Sequence, residues 1–289
     1  MAKIAEALTE GGLTARAVAE GDGWSVEDVI CTCGPEDRPF EEQHTAIRVA
    51  MVVAGTFQYK TKRTPELMAP GALLLGNAGQ AFECAHEHGR GDRCVAVAYR
   101  SDYFDRLAFE AGVKSHRQFA TGRIPPLRMF GPLVSRAAAA ASAASALLVW
   151  EELTAELAVR AVKAASGASS HSPMTPSAVL SRVTRSIRRI ESDPTRAQSL
   201  IDLSRDARTS PYHFLRGFRE VTGVTPHQFI LRSRLRRAAS RLAHSSDSIL
   251  DVVFDCGFGD VSNFNRTFRA EFGLSPRAFR RSLRKTIAL

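Results

Sequence analysis

Two groups of residues in this 289-residue chain have types and spacings that could do chemistry. The first group is stated twice. Tyr212, Arg216 and Arg219 are answered, at a constant offset of 50, by Ser262, Arg266 and Arg269. Leu215 and Asn265 border the two sets, and Asn263 lies beside the second, nearest the core. Arginine offers a bidentate fork to guanine, asparagine can pair with adenine, and an apolar side chain can meet a thymine methyl. Tyr212, Leu215, Arg216, Ser262, Asn263, Asn265 and Arg266 are therefore the base-reading candidates. Arg219, Arg269, Arg236 and Arg237 are the candidates for phosphate contacts, which position a protein on DNA without reading sequence.

The second group is Cys84, His86, His88 and Cys94. The first three alternate, so in a strand they share one face, and Cys94 returns after the Gly89 to Asp92 turn. Together they offer two sulfurs and two imidazoles to zinc or another soft metal. Phe82 shares that face, however, cysteine is an ordinary buried residue, and the spacing is not a standard zinc pattern. Cys31 and Cys33 join such a site if their strand is adjacent, and otherwise are small core or edge residues.

Helices must present the first group. Gly223-Val224-Thr225-Pro226 and Gly273-Leu274-Ser275-Pro276 close the two copies of the repeat. Ser210 reads as an N-cap with Pro211 at the first helical position, and Asp260 is the equivalent cap. Phe214, Phe218 and Val221 keep helical spacing in the first copy, and Phe264, Phe268 and Phe272 in the second. Leu200 and Leu203, then Ile249, Val252, Val253 and Cys256, form the preceding helices. Each copy is a predicted helix-turn-helix unit, with the candidates on the face opposite the phenylalanines.

Residues 177 to 284 resemble the AraC family of bacterial transcription regulators. The resemblance rests on Ser210-Pro211 with His213-Phe214, Phe218-Arg219-Glu220, Gly223, Pro226, Arg234-Leu235, Ala238, Leu242, Cys256-Gly257-Phe258, Asp260, Asn263-Phe264, Phe268, Phe272-Gly273, Ser275-Pro276 and Phe279-Arg280. It implies a seven-helix domain whose two helix-turn-helix units, joined by a long helix over roughly His227 to Ala243, enter successive major-groove segments on one DNA face. Two departures stand out. The family often has glycine in the first turn where this chain has Arg208, and Val253 replaces a smaller residue.

Charge points the same way. The formal net charge is +9, yet from residue 177 onward there are 21 Lys and Arg against 10 Asp and Glu, and 20 of those 21 cations are arginine. Such an arginine bias favours phosphate and guanine over mere solubility. Arg232, Arg236, Arg237 and Arg241 on the joining helix read as phosphate clamps or solvated charges rather than base readers. No secretory signal or membrane span is expected, which places the protein in the cytoplasm. Five scattered cysteines do not form a disulfide framework. No phosphate-cradling glycine loop, Ser/His/Asp signature or paired carboxylates stand out, so catalysis is not expected.

Residues 20 to 100 are β-like, with alternating runs over Ala46 to Ala54, Thr56 to Thr61, Leu73 to Leu75 and Cys94 to Tyr99. A small sandwich or barrel suits them, and Met68 to Leu75 resembles the cupin-like amino-terminal domains attached to this DNA-binding domain. Helices are expected over Tyr103 to Ala111, Leu127 to Leu148 and Trp150 to Ala165. The last carries a stripe through Leu147, Trp150, Leu153, Thr154, Leu157 and Ala161, either a dimer interface, as the resemblance implies, or core packed on the barrel. Ser166 to Ser177, rich in Ser, Gly and Pro, reads as a linker.

The predicted fold is α+β: a cupin-like β-barrel or sandwich with helical additions over residues 1–165, a linker over 166–177, and an all-α domain with two helix-turn-helix units joined by a long helix over 178–289. The predicted function is a promoter-binding regulator that activates transcription, with double-stranded DNA, RNA polymerase, a second copy of the chain and a small-molecule effector as partners. A metal-dependent cupin enzyme or metal sensor fused to a DNA-binding domain is the competing reading. A chromatin-type protein with little sequence preference is the third.

Overall fold

The computed structural model describes residues 12–62, 65–87, 89–113, 118–142, 145–166 and 175–287, and among these described residues ten short strands and ten α-helices form. They sort into two compact units, Met1–Pro125 with Trp150–Met174, and Pro126–Val149 with Thr175–Leu289.

The first unit is an antiparallel sandwich of two sheets. The strands are β1 (Leu13–Gly21), β2 (Trp24–Cys31), β3 (Phe40–Gln43), β4 (Ile47–Gly55), β5 (Phe57–Lys60), β6 (Glu66–Met68), β7 (Leu73–Gly76), β8 (Ala81–Ala85), β9 (Asp92–Tyr99) and β10 (Arg123–Ile124). One sheet runs β1-β2-β9-β4-β7-β10 and the other β3-β8-β5-β6. Ala50, Val52, Leu74, Cys94 and Ala96 from the larger sheet meet Phe57, Tyr59, Met68 and Cys84 from the smaller one between the layers.

The alternation expected in β4, β7 and β9 does not hold along the middle of the larger sheet. Val49, Met51, Leu73, Leu75, Val95 and Val97, on its other face, are buried as well. Helices α1 (Ser101–Glu110) and α3 (Leu147–Ser166) supply the reason. The Phe104 ring stands edge-on to Tyr99 at 5.3 Å, and the Tyr99 hydroxyl donates to the Thr154 carbonyl at 2.7 Å. Two-sided burial erases the polar half of a strand pattern. It also decides the stripe of α3: Trp150, Leu153, Leu157 and Ala161 are core of this unit, so the dimer interface expected along them is corrected to intramolecular packing. Of the large apolar residues of α3, Leu147 and Leu148 remain exposed.

Between the sheets, His44 stacks on Phe82 at 4.1 Å and its Nε2 lies 2.8 Å from the Tyr59 hydroxyl. Burial, reinforced by Arg48, pulls the His44 imidazole down to about 4, so it is neutral near pH 7.

The second unit is helical. The single helix expected over Leu127 to Leu148 is broken into a 3-10 turn (Arg128–Phe130), α2 (Gly131–Ala141) and the start of α3. Pro132 opens α2, and Ser142 closes it with its hydroxyl donating to the Ala138 carbonyl at 2.9 Å. Residues 126–149, expected in the first domain, thus sort with the second unit. Ala139 of α2 packs into the core of the second helix-turn-helix unit, where a small side chain lets helices approach closely. Residues 167–174 of the expected linker lie outside the described residues.

After α4 (Ser177–Ser192) come α5 (Leu200–Asp206) and α6 (Pro211–Thr222), the joining helix α7 (Pro226–His244), then α8 (Ile249–Asp255), α9 (Val261–Phe272) and α10 (Pro276–Ile287). Caps set nearly every boundary. Ser199 and Thr225 form capping boxes with Asp202 and Gln228, while Ser210, Ser248 and Asp260 each accept an amide hydrogen from three residues on. Gly223 and Gly273 end α6 and α9 in the left-handed region, at φ 78° and 75°.

Candidate nucleic-acid interface

Helices α6 and α9 bury Phe214 and Phe218, and Phe264, Phe268 and Phe272, respectively. The opposite faces are exposed. On α6 these are Tyr212, Arg216 and Arg219, with Leu215 half-buried at the edge. On α9 they are Ser262, Asn263, Asn265, Arg266 and Arg269. Asn263, expected nearest the core, is exposed. Asp260 holds its amide at 2.6 Å, which fixes the first turn of α9, and its side-chain oxygen accepts from Arg266 Nη2 at 3.2 Å. Asn263 thus braces a base-reading candidate as well as being one. A helix N-terminus with exposed amides is an attractive docking end for a polyanion.

The phosphate candidates divide. Arg219, Arg237 and Arg269 are exposed. Arg236 is not available in the same way: its Nη2 pairs with Glu191 Oε1 at 2.6 Å, and its guanidinium lies over the Phe229 ring at 5.6 Å. Arg236 is therefore corrected to a tie between α4 and α7. Arg232 and Arg241 are also ties. Arg232 donates to the Pro126 carbonyl and approaches Glu271 at 3.6 Å, and Arg241 reaches Asp247 at 2.5 Å and Asp255 at 2.7 Å.

Two residues were missed from the candidate set. Ser275 and Arg277 line a shallow groove with Asn265, Arg266 and Arg269 at the start of α10, so three guanidiniums converge there. The repeat carried the signal, since Arg277 answers His227 at the same offset of 50. Arg234 was read only as part of the family pattern. Its guanidinium donates to four carbonyls, those of Pro194 at 2.6 Å, Gly257 at 2.7 Å, Thr195 at 3.2 Å and Arg196 at 3.3 Å. It pins the turn that aims α9.

The metal candidates are rearranged. Cys84 and Cys94 both sit in the core between the sheets, and His88 lies outside the described residues. His86 Nε2 is 2.7 Å from Asp92 Oδ2, and Cys94 Sγ donates to Asp92 Oδ1 at 3.5 Å. Cys31, directly opposite Asp92 in the β2–β9 pairing, brings its sulfur into the same group. Burial, opposed by a backbone hydrogen bond at Cys33 and helped by the Asp92 charge, pushes the Cys31 thiol up to about 12. Burial likewise raises Cys84 and Cys94, with the Asp92 charge adding to both.

Known proteins resemble mainly the helical unit. Residues 203–282 match the family model described as a helix-turn-helix domain. Over 65 residues the chain is 45% identical to the HTH-type transcriptional activator RhaS of Klebsiella pneumoniae (strain 342), covering 22% of this chain and 23% of that protein. It thus spans about a quarter of the length of the curated relatives it matches. A transcriptional regulator with an AraC-type DNA-binding domain from Chromobacterium violaceum is 26% identical, with a TM-score of 0.35, over 37% of this chain and 96% of that one. ToxT of Vibrio cholerae O395 is similar over 90% of this chain and 99% of its own, at 12% identity and a TM-score of 0.35. Through residues 203–282, then, this chain carries a helix-turn-helix domain.

Proposed function

We propose that the chain is a sequence-specific DNA-binding transcription regulator that activates its promoters, with α6 and α9 entering successive major-groove segments on one face of the duplex. One observation carries this reading: α6 and α9 are the same capped, phenylalanine-anchored helix, and each exposes an arginine, Arg216 and Arg266, at the matching position. Such helices read base edges from their first turns. Tyr212, Leu215, Ser262, Asn263 and Asn265 complete the reading face. Arg219, Arg237, Arg269 and Arg277 hold the phosphates.

Activation by the RhaS relatives supports activation here. A homodimer, contact with RNA polymerase, a small-molecule effector on the first unit and work in the cytoplasm belong to the same reading and rest on the resemblance to the AraC family. Among the described residues no helix is long and apolar enough to cross a membrane.

The test is binding of the full chain to genomic fragments at several salt concentrations. The reading expects a small set of sites bound far more tightly than bulk DNA, with affinity falling steeply as salt rises. Equal affinity for all fragments would replace it with a sequence-indifferent DNA-coating protein.

A further inference from the structure

At one end of the sandwich, three elements send polar and sulfur-bearing side chains into the space between the sheets. Cys31 ends β2, Asp92 begins β9 directly across from it, and His86 follows β8 of the other sheet. One donor atom from each lies within 4.8 Å of the other two. The His86 and Asp92 side chains are 3% and 7% exposed. Cys94, two residues along β9 and therefore on the same face, touches the Asp92 carboxylate, and Cys84 packs in the same core. Two of the chain's five cysteines, Cys31 and Cys94, thus gather around one buried carboxylate.

A buried ion pair between His86 and Asp92 needs no sulfur. Burying a carboxylate is costly unless a cation meets it, and an imidazolium alone would serve. Thiols placed around that pair add nothing to it, whereas they are the donors that a thiophilic cation selects. The backbone is shaped for convergence. Gly91 takes φ 73° and donates its amide to the Cys33 carbonyl at 2.8 Å, and a Cβ there would meet the Cys31 carbonyl at 3.0 Å. The chain can enter β9 in this conformation because glycine stands at that point.

The geometry points to a binding site for a thiophilic divalent cation of the zinc class, held by Cys31, His86 and Asp92, with Cys94 as the neighbouring sulfur. Zinc takes sulfur, nitrogen and oxygen at about 2.0–2.3 Å, which sets neighbouring donors of a tetrahedron roughly 3.3–3.8 Å apart. The present group needs only sub-ångström to ångström shifts to reach that. Binding releases the Cys31 thiol proton, and the metal's two positive charges meet the thiolate and carboxylate. No electron transfer is involved. The site stands whether or not α6 and α9 bind DNA.

The test uses the full chain, stripped with a chelator and titrated with cobalt(II) as the optical probe. The expected result is one equivalent bound, with a thiolate-to-cobalt charge-transfer absorption and the intense visible bands of a four-coordinate ion, both bleached by added zinc(II). Cys31→Ser should remove the charge-transfer absorption, and Asp92→Asn, which keeps the side-chain shape, should weaken binding at least tenfold. Wild-type protein that binds no cobalt(II), or binds it without thiolate absorption, overturns the site. So does Asp92→Asn protein that folds by circular dichroism and binds as tightly as wild type. If Cys31→Ser fails to fold, the wild-type spectrum and the Asp92→Asn titration decide.

Discussion

Ala207-Arg208 ends the first helix of one helix-turn-helix unit and Cys256-Gly257 ends that of the other, and at this point the two copies part. The caps Ser199 and Ser248 are 49 apart, while Ser210 and Asp260 are 50 apart, so the second turn holds one residue more. The extra length carries Phe258, whose ring meets Phe264 at 4.9 Å. Phe264, Phe268, Phe272 and Phe279 continue that contact into a run of tilted and edge-on rings. The first unit has no ring in its turn. It leans instead on α4: Gly217 is buried there, and a Cβ on it would meet Val179 at 2.8 Å. Capping and the outward face are duplicated, whereas the means of anchoring is not. A recognition surface needs only the helix register to be right, and two different cores can supply it.

The largest effect that sharpens this comparison lies in the ring run. Phe268 is fully buried, with Phe264, Phe272 and Phe279 centroids at 5.4, 4.4 and 5.3 Å. Phe268→Ala should destabilise the chain by about 3–5 kcal/mol, read by denaturant unfolding. A loss under about 1 kcal/mol would mean that the rings do not anchor the second unit.

Next comes the tie. Arg234→Met keeps the stem of the side chain but leaves four carbonyls without their donor. The expected cost is about 2–3 kcal/mol, and base discrimination should fall at the positions read by α9 while those read by α6 keep theirs. Equal loss at both sets would show that Arg234 stabilises the whole unit rather than the second turn.

Arg216→Ala and Arg266→Ala compare the two faces directly. Each should lose about 1–3 kcal/mol at one base pair and relax specificity there. Arg237→Ala should instead weaken all sequences evenly and reduce the salt slope by roughly one. The measurement is a panel of single-base operator variants at several salt concentrations. Uniform weakening by both Arg216→Ala and Arg266→Ala would remove the proposed groove docking.

What the sequence made legible follows from range. The helix-turn-helix units were readable because caps, apolar spacing and the repeat are local: Ser210, Asp260, Gly223 and Gly273 each act within one turn of their own helix. Failures came where a partner lies far along the chain. Arg236 looks exposed until Glu191, 45 residues away, is placed beside it. Leu153 and Leu157 form an apolar stripe whose partner only the tertiary fold names. Asp92 was read as a turn residue, and its place opposite Cys31 depends on the register of β2 against β9, 61 residues later in sequence. Beyond register, β4 and β9 lost their alternation because helices cover the sheet, and no strand pattern records what packs on its far side.

The smallest effect tests the turn where the units differ. Arg208 takes φ 50°, the only positive φ at a non-glycine position among the described residues, at the place where the second unit uses Gly257 at φ 82°. A side chain there crowds its own carbonyl by about 1–2 kcal/mol, and glycine relieves this while adding about 0.5–1 kcal/mol of unfolded-state entropy. Arg208→Gly should therefore stabilise the chain by about 0.5–1 kcal/mol in denaturant unfolding, the difference of those two effects. The reverse exchange is not symmetrical. A Cβ at Gly257 would stand 2.8 Å from the Thr195 Cα and 3.2 Å from Arg234 Nε, and backbone cannot step aside as a side-chain tip can. Gly257→Ala should accordingly destabilise by more than Arg208→Gly stabilises. Should the two substitutions shift stability by equal and opposite amounts, the turns would differ only in backbone strain, and the close packing of loop 194–196 on the second turn would carry none of the difference.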